Sequence, residues 1–148
     1  MYGLEIKTKN KYGKFIYTLL KNAGAERYVW QINSDDILTK NGHGLFHAKW
    51  VNGQAFADSI QKDVYYLIFA DCKAFKNQDE SAKILNGADM VKSACDLVFL
   101  CTDSVNIEIY CKDKSVYDTV KLNCKNDGIV SVRDIKEEEI QNRSLVAF

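Results

Sequence analysis

The sequence predicts an α+β fold: one sheet of five or six strands, mostly antiparallel or mixed, with helices packed mainly on one face. Three observations predict it. Tyr2 to Lys7 and Val105 to Cys111 alternate apolar and polar side chains with the two-residue period of half-buried strands. Val64 to Phe69 and Leu97 to Cys101 are unbroken apolar runs, as in central strands covered on both faces. Thr102-Asp103-Ser104 connects two strands too tightly for anything but an antiparallel pair, which breaks the regular alternation of a doubly wound parallel sheet. No repeat, linker or domain boundary interrupts the 148 residues, so a single domain spanning 1–148 is expected.

The elements follow in order. Leu4 and Ile6 give the first strand its buried side. Asn10 is a candidate N-cap for a helix whose stripe is Tyr12, Phe15, Ile16, Leu19, Leu20 and Ala23, with Gly24 to stop it. Tyr28, Trp30 and Ile32 mark a second strand. From Asn33 to Gly44 the chain is polar and reads as a hairpin or exposed loop around Asn41-Gly42-His43-Gly44. Asn52 caps a short helix carrying Phe56 and Ile60. After the apolar run at Val64, Lys76 to Asn86 reads as a loop, and Asp89 as the cap of a helix running to Cys95. Beyond the strand pair around Asp103, Asp113 caps a helix with Val116, Val120 and Cys124 on its stripe. Ile129 to Val132 is a last strand, and Glu137 to Phe148 a charged segment with a small apolar tail.

Composition narrows the function. Basic and acidic side chains balance at 20 each, so the excess positive charge behind general phosphate affinity is missing, and nucleic acid is not an expected partner. Lysines crowd the first stretch (Lys7, Lys9, Lys11, Lys14, Lys21) and acids the last (Asp134, Glu137 to Glu139), a split best read as two solvated faces. The longest apolar run falls far short of a membrane span. Met1 to Lys14 lacks the apolar core of a signal peptide. The five cysteines form no CxxC pair and sit mostly in apolar runs, as reduced core residues of a cytoplasmic protein do.

The sequence offers chemical candidates rather than a motif. Neither a GxGxxG nor a GxxxxGK[ST] phosphate loop occurs, and there is no GxSxG elbow. His43 and His47 are four apart, but flanking glycines argue against the helix that would align them on a metal, so neither a metal nor another cofactor is expected. Cys72, between Asp71 and Lys73, is the least unfavourable nucleophile. Asp71, Asp103 and Glu108 lie near the ends of core strands, where a carboxylate site assembled only in three dimensions stays open. No residue is singled out as catalytic. The aromatic and basic stretch containing His43, His47 and Trp50 suits a recognition surface.

The strand followed by Tyr12-Gly13-Lys14 at a helix start, and above all the block from Cys95 to Lys112, resembles a family of small bacterial proteins of unknown function, about as long as this chain and found mainly in Firmicutes. That resemblance implies a cytoplasmic bacterial protein and carries no active site. The expectation is therefore a non-enzymatic protein-interaction module, immunity- or antitoxin-like or regulatory, acting as a monomer or weak homodimer on a protein partner. The alternative is a small-molecule binder or enzyme using a carboxylate or cysteine site.

Overall fold

Alternating side chains at both ends of the chain pair into the same sheet. The computed structural model describes residues 1–9 and 11–147. The proposed cap at Asn10 and the terminal Phe148 lie outside them. Seven strands form one sheet: β1 (Tyr2–Thr8), β2 (Val29–Thr39), β3 (Trp50–Asn52), β4 (Tyr65–Phe75), β5 (Cys95–Thr102), β6 (Asn106–Cys111) and β7 (Ile129–Ile135). Their order is β3-β2-β4-β5-β6-β1-β7, and every neighbouring pair is antiparallel. The expected five or six strands become seven because Trp50–Asn52, too short to show a period, pairs with Val29 to Gln31.

Leu97 to Cys101 lies at the sheet's centre in β5, as the apolar run implies. The Val64–Phe69 run needs correction. Its strand extends to Phe75, and the part buried on both faces is Ala70 to Phe75, since only that half pairs with β5. The polar residues Asn33 to Asp36 are likewise strand rather than loop. β2 continues through them to Thr39, held by β4 across two bulges.

One face of the sheet carries the larger core. Leu4, Ile6, Trp30, Phe99, Ile107 and Ile109 pack there against helices α1 (Phe15–Leu20), α2 (Gly53–Lys62) and α4 (Lys114–Asn123). The predicted stripe is buried from Phe15 to Ala23, but the helix is shorter than its pattern. Its start is displaced because Gly13 exchanges backbone hydrogen bonds with Tyr65. Its end is cut by the left-handed Asn22. The carbonyls of Leu19 and Lys21 at that end accept from the Asn123 amide of α4, at 2.9 and 2.8 Å. Asn52 and Asp113 cap α2 and α4 as their spacing predicts.

The opposite face is covered by helices α3 (Gly87–Lys92) and α5 (Glu137–Ile140) and by the segment after α5, through Met90, Ile140, Leu145 and Ala147. Asn86, not Asp89, caps α3: its side chain accepts from the Asp89 amide at 2.9 Å. The C-terminal segment changes how β6 reads. Tyr110, expected on a wet face, is fully buried beneath it.

Candidate functional site

Residues 40–49 connect β2 to β3 and run back beside β2, with the Ile32 amide donating to the Lys49 carbonyl at 2.7 Å. Two anchors fix this loop. The Asp35 carboxylate on β2 accepts from the Leu45 and Phe46 amides, at 3.0 and 2.8 Å. The Phe46 ring stacks on Phe56, which stacks in turn on Trp30, with centroids 5.0 and 3.9 Å apart. On either side of the anchored pair, His43 and His47 are both exposed and meet edge to face at 6.1 Å. His47 holds a left-handed backbone, φ 63°, a conformation uncommon outside glycine. It borders two open depressions, about 370 Å³ toward Lys62 and Asp63 and about 430 Å³ toward Asn33 and Lys49.

The structure thus brings together two of the three residues proposed for recognition. Trp50 departs: it is half-buried and tilts against Phe75, on the face covered by the C-terminal segment. Among the described residues, no group of three or more His, Cys, Asp or Glu converges as a metal site would require.

The remaining candidates carry structural partners. Cys72 is fully buried, and that burial pushes its thiol well above the ordinary value. Burial likewise raises Cys95, Cys101 and Cys111 to about 12 and Cys124 to about 11. A thiol so disfavoured as thiolate is a poor nucleophile. Asp103 and Ser104 form the β5–β6 turn with φ of 52° and 69°, and the Ser104 amide donates to Ile68 on β4 at 3.0 Å.

Asp71 and Glu108 share one row across the sheet, running Asp71, Leu100, Glu108, Glu5, Arg133. Each is already matched. The buried Lys73 ammonium donates to Asp71 and, at 2.7 Å, to the Leu145 carbonyl. Arg143 donates to both Glu5 and Glu108, and the Tyr110 hydroxyl also donates to Glu108. Arg133 completes the row on Glu5 at 2.8 Å. This row pins the C-terminal segment to the sheet, a role that spacing along the chain did not reveal.

A cavity of about 620 Å³ opens at the end of the sheet away from the Asp103 turn. Arg27, Tyr28, Lys76, Asp96, Lys112 and Asp113 line it. They come from the start of β2, the end of β4, the start of β5 and the end of β6. No short motif marks the cleft, because antiparallel pairing assembles it from four separate stretches.

Fold and sites together define a small protein with one antiparallel sheet, helices on both sides, and its strongest chemical groups engaged in holding the structure. The chain belongs to the family described as "Protein of unknown function (DUF2691)", whose model matches residues 1–146. It is similar to "Uncharacterized protein YncE" of Bacillus subtilis (strain 168), with 27% identity over 148 residues covering 97% of each chain. The bacterial family of unknown function implied by the Cys95–Lys112 block is thereby established. No solved structure gives a significant match. Among the described residues, no helix is long and apolar enough to cross a membrane.

Proposed function

We propose that this protein is a non-enzymatic binding module, immunity- or antitoxin-like or regulatory in role, whose protein partner docks on the loop at His43 and His47. The observation that carries the reading is the way this loop is held. Two exposed aromatic side chains flank a pair, Leu45 and Phe46, that is tied to the Asp35 carboxylate and to the core, with His47 in an uncommon backbone conformation. Backbone strain of this kind clusters at ligand and partner sites. A loop already ordered before binding loses less entropy on docking. Five buried thiols, all free, fit work in a reducing cytoplasm.

The test is affinity capture from the native bacterial cytoplasm with the full chain and with the His43→Ala/His47→Ala double variant. A partner retained by the native protein and lost by the folded double variant supports the reading. A partner held equally by both, or no partner alongside a measurable enzymatic activity, overturns it.

A further inference from the structure

The cleft at the opposite end of the sheet from the Asp103 turn has a different character. Arg27, Lys76 and Lys112 bring three cations to its walls, against the carboxylates of Asp96 and Asp113. Among the described residues, neither Arg27 nor Lys76 takes part in an ion pair. Asp113 is already committed, its carboxylate accepting from the Ser115 amide at 2.8 Å and the Ser115 hydroxyl at 2.7 Å. Three cations against two carboxylates leave the cleft net positive, which favours an anion.

One of the cations, Lys112, is also held in place. The Lys112 ammonium donates to the Ser93 carbonyl. Arg27 folds back over Gly24, which has φ 79° and no side chain; a Cβ there would stand 2.2 Å from the guanidinium. Tyr28, half-buried and edge-on to Trp30 at 6.2 Å, lines the same cleft. Burial first, then the nearby Asp96 charge, raises its phenol above the ordinary value, so it is a neutral hydrogen-bonding group at physiological pH.

We infer that this cleft binds a small organic oxyanion, with Arg27, Lys76 and Lys112 meeting its carboxylate or phosphate group and Asp96 and Tyr28 accepting from its hydroxyl or amino groups. A planar guanidinium matches either oxyanion with paired hydrogen bonds. A cleft of this volume lies within the range of small-molecule sites. The inference is independent of the His43–His47 reading, because the two surfaces share no residue.

Isothermal titration calorimetry on the full chain tests it with four probes: glycerol 3-phosphate, malate, inorganic phosphate and uncharged glycerol. Saturable one-to-one binding of glycerol 3-phosphate or malate is expected, with none for glycerol; whichever of the two binds names the phosphate or carboxylate source. Arg27→Gln and Lys76→Gln should each weaken binding at least tenfold, while Lys76→Arg retains it within threefold. Circular dichroism confirms that each variant is folded. No anion binding at millimolar concentration overturns the inference, as does equal binding by the glutamine variants. Inorganic phosphate bound as tightly as the organic anions also overturns it, since the rest of the ligand would then go unread.

Discussion

Glu5 and Glu108 stand directly opposite each other on β1 and β6, and the Arg143 guanidinium donates to both carboxylates. Like charges facing across a strand pair destabilise a sheet. Here the repulsion is turned into an anchor, because one guanidinium from the C-terminal segment bridges both carboxylates. Arg143→Ala should lower unfolding stability by about 2 kcal/mol, the scale of hydrogen bonds to charged groups. It should also speed amide exchange after Ile140. Urea denaturation with hydrogen-exchange mass spectrometry checks both, and unchanged exchange in that segment would contradict the anchor.

The same network sets an acid limit. Hydrogen bonding from Arg133 first, and Arg143 next, lowers the Glu5 pKa from 4.5 to about 2, against the opposing effect of burial. A carboxyl depressed in the folded state contributes stability fully present above pH 4.5 and lost as pH falls toward 2. The native protein should lose stability across that window, and Glu5→Gln should lose less. Stability of both proteins measured between pH 2 and pH 6 provides the comparison; parallel curves would assign the acid sensitivity elsewhere.

Lys73 and Asp71 are 1% and 2% exposed, so their charges are withdrawn from water together. Removing one partner leaves the other unmatched, and Lys73→Met should destabilise by about 3–5 kcal/mol. The Lys73→Met/Asp71→Leu double variant should recover part of the loss. Chemical denaturation of the three proteins gives the coupling directly, and additive losses would mean that the two charges act separately.

The thiols offer a direct check on burial. All five should resist iodoacetamide at pH 8 in the native state and react together on unfolding. Mass spectrometry counts the adducts. One thiol labelled at the rate of free cysteine would contradict the core position of that residue.

Gly87 lies where two backbones nearly touch: a Cβ added there would stand 1.8 Å from the Ile140 carbonyl oxygen. Neither partner is a flexible side chain, so Gly87→Ala should cost about 3 kcal/mol, the upper range for overpacking. Thermal unfolding measures the loss, and protease nicking after Ile140 should appear first. A variant as stable as the native protein would mean that the C-terminal segment shifts freely.

Much of the architecture was legible because it is local. The alternation at Tyr2–Lys7, the caps at Asn52 and Asp113, and the turn at Asp103 each depend on residues a few positions apart, and all three kinds of signal stand in the structure. The length of α1 was not legible, because it is limited by Gly13 pairing with Tyr65, far along the chain. The far half of β2 is not legible for a similar reason: Asn33 to Asp36 have no strand propensity of their own and are held by β4.

For the candidate site, the sequence supplied His43 and His47 as a pair and the absence of a catalytic motif. It grouped Trp50 with them by proximity, whereas strand alternation turns that side chain against Phe75. Proximity along the chain says nothing about which face of a sheet a residue takes once a strand begins. The cleft lined by Arg27, Lys76 and Lys112 and the row from Asp71 to Arg133 belong wholly to the tertiary structure. Local sequence determined which segments extend, coil and turn. The pairing of distant strands decided how Glu5, Glu108, Arg133 and Arg143 meet, because register across a sheet is fixed by long-range hydrogen bonds and burial, and no short window of sequence contains these partners.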